Sequence, residues 1–123
     1  MKIGELCSRN QFPQVIADSS VKEVIIEISN KRLGATAVIE NNQLLGIITD
    51  GDIRRMLENH SDWNNFKAID IMNSNPKIVK EEVLASDALK FMQQNNISQI
   101  IVVNDDAYIG IVHIHDILKE GLV

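Results

Sequence analysis

Cysteine, aromatic side chains and positive charge are all scarce in this chain, and each scarcity excludes something. The one cysteine, Cys7, rules out an internal disulfide and fits a reducing compartment. Five aromatics (Phe12, Trp63, Phe66, Phe91 and Tyr108) leave the core to Ile, Leu and Val, for which the 45% apolar content is sufficient. Lys and Arg number 12 against 17 Asp and Glu, a net charge of −5. A nucleic-acid partner would need a basic face for its phosphates, so none is expected. No basic-then-apolar leader opens the chain. No run approaches the roughly 20 apolar residues of a membrane span. A soluble, cytoplasmic protein is the expectation. Catalytic apparatus is missing as well. There is no glycine-rich phosphate loop, no histidine has an obvious catalytic partner in sequence, and Cys7 sits in a lead-in segment that suggests packing rather than an activated thiol.

What is present centres on Leu44-Leu45-Gly46-Ile47-Ile48-Thr49-Asp50-Gly51-Asp52-Ile53-Arg54-Arg55. The apolar run predicts a buried strand, Thr49-Asp50-Gly51-Asp52 a turn with helix-start acids, and Ile53, Met56 and Leu57 a helix. Free amides beside a hydroxyl and a carboxylate suit an anion or a ribose.

The junction occurs twice. A shift of 64 turns Gly46-Ile47-Ile48 into Gly110-Ile111-Val112, Asp52-Ile53 into Asp116-Ile117, and Val38-Ile39 into Val102-Val103. The same register carries Val24-Ile25 and Ile28 onto Ala88-Leu89 and Met92. That continuity marks a duplication of a small unit, at a period too long for the common solenoids. At 123 residues the chain suits one compact domain or two half-domains sharing a core.

Each copy spells lead-in helix, short strand, helix, strand, strand, helix. Ser20-Val21-Lys22-Glu23 fits a capping box, with Val21, Val24, Ile25 and Ile28 as the apolar face behind it and Gly34 at the closing turn. Asn41-Asn42 predicts a hairpin turn, and Asn104-Asp105-Asp106 its counterpart. His60 to Phe66 connects the copies, with Trp63 and Phe66 pinning it down; the last helix is expected over His115 to Gly121. The fold class is therefore α+β: two tandem β-α-β-β-α repeats, 1–62 and 63–123, packed about a pseudo-twofold axis with two equivalent clefts.

This order, with its Gly-apolar-apolar-Thr-x-x-Asp junction, resembles the CBS domain pair, or Bateman module, over the whole chain. Leu33-Gly34-Ala35-Thr36-Ala37-Val38, the Thr-Asp-Gly-Asp-Ile-Arg-Arg run and the later His113-Ile114-His115-Asp116 are more narrowly similar to the C-terminal CBS pair of bacterial arabinose-5-phosphate isomerases. Those enzymes feed Kdo synthesis for lipopolysaccharide or capsule. The resemblance implies that a sugar-isomerase domain precedes Met1 in a parent protein, and that this chain by itself is not an enzyme. It also implies a ligand set of Gly34, Thr36, Thr49, Asp50, Asp52, Arg54 and Arg55 in the first copy and His113, His115 and Asp116 in the second. In CBS pairs the junction Asp often takes ribose hydroxyls and the Thr takes phosphate or sugar. A carboxylate can accept two hydroxyl donors at once, which fits that role. No cofactor is required. An adenine or cytidine nucleotide, or CMP-Kdo as a downstream product, is the implied regulatory ligand, and a homodimer of CBS pairs the implied assembly.

The residues also admit plainer readings. Asp50 and Asp52 could simply cap a helix, and Arg54 and Arg55 could form a solvated face. Copy two replaces Thr49 by His113 and Gly51 by His115, so its cleft could take another ligand or none. His113 and His115 share a side in extended backbone and, with Asp116, offer at most three ligands to a divalent metal. Two alternatives therefore stand beside the regulatory reading: a ligand-free dimerisation module, with Met56-Leu57 and Leu118 to Leu122 as exposed apolar helix ends, and a metal sensor built on the histidines.

Overall fold

The computed structural model describes residues 1–121, and Leu122 of the expected apolar helix end lies outside them. The elements are α1 (Ile3–Cys7), β1 (Gln14–Val15), α2 (Val21–Lys31), β2 (Ala35–Glu40), β3 (Gln43–Thr49), α3 (Asp50–Asn59), a 3-10 helix (Trp63–Asn65), α4 (Ala68–Ile71), β4 (Ile78–Lys80), α5 (Ala85–Gln94), β5 (Gln99–Asn104), β6 (Ala107–His113) and α6 (Ile114–Leu118). The class is α+β, with two three-stranded sheets and six α-helices among the described residues. None of the described helices is long and apolar enough to cross a membrane.

The chain forms two compact units, cut differently from the sequential repeats. Pro13–Pro76 is one; Met1–Phe12 joins the chain from Lys77 onward to make the other. Each lead-in helix thus completes the unit of the opposite copy. In the first-junction unit, Ala68 N–H donates to Ser19 O at 2.8 Å and Ile69 N–H to Ala17 O at 3.1 Å. In the other unit, Ile3 N–H donates to Val83 O at 2.7 Å and Gly4 N–H to Glu81 O at 3.0 Å.

Within the unit Pro13–Pro76, β1 pairs parallel to β2 and β2 antiparallel to β3. The Asn41-Asn42 turn carries positive φ at both residues (51° and 63°), the conformation a two-residue hairpin loop requires and asparagine tolerates. Ser20 caps α2 in a reciprocal box with Glu23. Val21, Val24 and Ile28 are buried, but Ile25 is 37% exposed, because the 3.6-residue turn carries it off the stripe that the other three share. The helix also ends earlier than expected: Arg32 takes the left-handed closing position (φ 62°), and Gly34 (φ 74°) serves the turn into β2. In α3, Met56 is core and only Leu57 is exposed, so the expected Met56-Leu57 apolar end reduces to one residue.

The other unit repeats the plan. β4 pairs parallel to β5 and β5 antiparallel to β6, with a register shift at Val102/Val103 that matches the one at Val38/Ile39. Ala85, Ala88, Leu89 and Met92 of α5 pack with Ile3, Leu6 and Cys7 of α1 and with Ile117 of α6. The last helix is shorter than the sequence suggests, Ile114–Leu118.

Two glycines explain how the lead-ins come so close. A Cβ on Gly46 would lie 2.5 Å from Asn73 O and 2.9 Å from Met72 Sδ; one on Gly110 would lie 2.6 Å from Cys7 Sγ. Cys7 and Met72 therefore occupy equivalent places against equivalent glycines, and Cys7 is a packing residue.

Candidate functional site

The first junction forms where β3 runs directly into α3. Thr49 is the N-cap: its Oγ1 accepts from Asp52 N–H at 3.2 Å, while Asp52 Oδ2 accepts from Thr49 N–H at 2.9 Å and from Thr49 Oγ1–H at 3.1 Å. That oxygen belongs to the helix start. The other, Oδ1, accepts from Arg55 Nη2 at 2.7 Å, and Arg55 is an exposed side chain one turn along. Gly51 leaves room for this folded-back guanidinium, since a Cβ there would sit 3.3 Å from Arg55 Nη1. Asp52 and Arg55 line a cavity of about 230 Å³ with Met56, Asn59 and Asp70.

Asp50 N–H donates to Gly34 O at 3.0 Å, which ties the loop before β2 to the junction, and Ala35 stands opposite Thr49 in the ladder. Thr36 is fully buried with its hydroxyl donating to Ala37 O at 3.2 Å, so it faces packing within this unit. Arg54 points to solvent beside Glu58 at 3.8 Å, which is the solvated-face reading. Gly34, Thr49, Asp50, Asp52 and Arg55 are thus brought together, and Arg54 and Thr36 are not.

The second junction keeps the frame and changes the chemistry. His113 is the N-cap of α6; its Nδ1 accepts from His115 N–H at 3.1 Å, and its own N–H donates to Asp116 Oδ2 at 2.9 Å. The two imidazoles stack at 4.8 Å with planes 18° apart. Burial and the neighbouring His115 hold His113 below the usual histidine range, against the opposing pull of Asp116. Among the described residues no group of three or more His, Cys, Asp and Glu is arranged to hold a metal, and His113 Nδ1 is already occupied by a backbone donor. The metal-sensing alternative therefore has no geometric support.

Asn10 was invisible to sequence reasoning. Its Nδ2 donates to Asp116 Oδ2 and to Ile111 O, each at 3.1 Å, across more than 100 residues of chain, and no local pattern signals such a contact. Asn10 and Asp116 line a cavity of about 250 Å³ with Leu6, Arg9, Lys119 and Glu120. The Arg9–Glu120 ion pair lies at the same place. Lys119 stands where Arg55 stands in the first copy, yet among the described residues it makes no ion pair with Asp116.

Comparisons with known proteins agree with this frame. The family model described as the CBS domain matches residues 3–59 and 68–122. The arabinose 5-phosphate isomerase KdsD of Francisella tularensis is 44% identical over 115 residues, covering 92% of this chain and 35% of that protein. The protein of the same name from Pseudomonas aeruginosa is 38% identical over 125 residues, covering 100% of this chain and 37% of that one. The chain thus spans about a third of the length of the curated relatives it matches. Among solved structures, a CBS domain protein from Pyrobaculum aerophilum complexed with AMP superposes with a TM-score of 0.84 at 24% identity, covering 98% of this chain and 97% of that one.

Proposed function

Because the chain belongs to the CBS domain family, we propose that it is the regulatory module of an arabinose-5-phosphate isomerase, binding a nucleotide or nucleotide-sugar at the Asp52 junction. In this reading a sugar-isomerase domain carries the catalysis elsewhere in the parent protein, the module pairs as a homodimer in the cytoplasm, and the pathway is Kdo supply for lipopolysaccharide or capsule. The isomerase-named relatives at 38–44% identity support the parentage. The AMP complex of the Pyrobaculum protein supports a nucleotide over other small molecules.

The observation that carries the ligand assignment is the divided Asp52 carboxylate. One oxygen is committed to the cap. The other is held by an exposed arginine at the edge of a cavity. A ribose hydroxyl can take Oδ1 from Arg55 without uncapping α3, and the displaced guanidinium is then available to an anionic group of the same ligand.

Titration calorimetry with AMP, CMP and CMP-Kdo on the wild type and Asp52→Ala tests this. A charge-assisted hydrogen bond is worth about 1.5–3 kcal/mol, so the variant is expected to bind roughly 10- to 150-fold more weakly. Undiminished affinity would confine Asp52 to capping. Failure of all three ligands to bind the wild type would favour the ligand-free dimerisation module.

A further inference from the structure

We propose that the second junction is a proton-responsive element: neutral His113 closes the start of α6 through its Nδ1, and protonation of that ring opens it, while the first junction, capped by a threonine hydroxyl, does not respond.

The argument starts from the repeat. Thr49 and His113 hold the same position, and each accepts a backbone N–H from the first turn of the helix it precedes. A hydroxyl accepts at any pH. An imidazole nitrogen accepts only while it is unprotonated, so the 3.1 Å contact from His115 N–H fixes the neutral Nε2–H tautomer. Adding a proton at Nδ1 turns the acceptor into a donor facing another donor. It also places positive charge at the N-terminal end of α6, the positive end of the helix dipole.

The charges acting on the ring are those of His115, Asp116 and Lys119, all on or just after α6. Asp116 alone favours the proton, and its carboxylate is already shared between His113 N–H and the Asn10 amide. The stacked His115 ring, 4.8 Å away, and Lys119 oppose it. Around them, β5 sets the neutral Gln99 opposite His113, the N-terminal segment brings neutral Asn10 onto Asp116 and Arg9 onto Glu120, and the ionisable groups of α5, Asp87 and Lys90, are not among those charges. Burial and the two like charges therefore win, in agreement with the lowered titration of His113.

The sign follows. A histidine held below its unfolded value leaves the folded state with fewer protons, so its stabilisation is complete above the ordinary histidine range. It is lost as pH falls from about 6.5 through the lowered folded value. The consequence is local, because α6 is only five residues long. The His113 Nδ1 contact holds the first turn together with Ile114 N–H to Ser98 O at 2.8 Å and His113 N–H to Asp116 Oδ2 at 2.9 Å, and that turn carries Asp116. Ile117 behind it sits in the core and keeps the helix from leaving altogether.

Hydrogen-exchange protection of the His115 and Asp52 amides, followed by NMR between pH 8 and pH 5 on the full chain, tests the proposal. With a cap worth about 1 kcal/mol, protection at His115 is expected to drop about fivefold on acidification while that at Asp52 holds. His113→Thr and His113→Asn both supply caps that do not titrate in this window, and each is expected to flatten the response. His115→Ala keeps the acceptor and removes a like charge, so the midpoint should move up in pH. Equal protection at pH 5 and pH 8 in the wild type, the same acid response in both His113 variants, or a proton found on His113 Nδ1 at pH 8 would overturn the proposal.

Discussion

Replacing Gly46 by alanine puts one methyl group where the structure has no space. The new carbon would stand 2.5 Å from Asn73 O, 2.9 Å from Met72 Sδ and 3.2 Å from Asn73 C. Carbon contacts settle near 3.5–4.0 Å, so the backbone at Asn73 must retreat by about 1 Å. That backbone is tied to the neighbouring residue by a reciprocal pair, Ile47 N–H to Asn73 O at 3.1 Å and Asn73 N–H to Ile47 O at 2.8 Å. Retreat stretches both bonds. Overpacking costs about 1–3 kcal/mol and each weakened bond up to about 1 kcal/mol. The terms overlap, because one displacement causes all of them, and the expected loss is about 2–4 kcal/mol. Trp63 is the sole tryptophan and lies in the same unit, so urea unfolding followed by its fluorescence reads this loss directly. A partner substitution separates causes: Met72→Ala clears the sulfur but not the backbone oxygen, and most of the loss should persist in the double variant. Gly110→Ala differs, because its nearest obstacle is a side-chain atom, Cys7 Sγ at 2.6 Å, and Cys7→Ala should recover much of its loss. Gly46→Ala within about 0.5 kcal/mol of wild type, or fully rescued by Met72→Ala, would refute the claim that this glycine admits the lead-in backbone.

Two further outcomes are expected. Ser20→Ala removes the acceptor for Glu23 N–H at 3.1 Å and should cost about 0.5–2 kcal/mol by urea titration; the Ser20 donor holds Glu23 below the usual carboxylate range, so the contribution of the box is present above that range and should fade as the pH drops through it. Burial first, and then the carboxylates of Glu81 and Asp116, push the Cys7 thiol up to about 11, so iodoacetamide at pH 8 should label it far more slowly in the folded chain than in urea; equal rates would show that α1 does not stay docked.

Much of the fold was legible because the signals were local. The Ser20 box, the Asn41-Asn42 turn and the apolar runs of the strands each need only a few neighbouring residues to specify them, and the duplication repeats the strand runs in one register. The exchanged lead-ins were not legible. Their placement depends on Gly46 and Gly110 accepting close approach from segments that are distant or indirect in sequence, and a glycine inside a strand does not say what will lie over it. Ile25 failed for a related reason: hydrophobicity named it core, while the turn angle, set by which three residues were already buried, put it outside.

The junction shows where sequence and geometry divide the labour. Thr49 and Asp52 read equally as a cap and as a ligand pair, and the structure explains why the two readings need not compete: a carboxylate has two oxygens, and only Oδ2 is taken by the cap. What decides whether Oδ1 is open is Arg55, three residues on, and the absence of a side chain at Gly51 that lets the guanidinium fold back. In the second copy both conditions change together. His115 fills the place of Gly51, Lys119 that of Arg55, and Asp116 is moored instead by Asn10 from the far end of the chain. The duplicated backbone has therefore kept two capping carboxylates while giving them different keepers, an exposed cation in one copy and a neutral amide in the other. At Asp52 the cap takes Oδ2 and the arginine Oδ1, whereas at Asp116 the His113 N–H and the Asn10 amide both donate to Oδ2. The same duplication thus divides the two oxygens of one capping carboxylate between cap and cation, and gathers cap and amide on a single oxygen of the other.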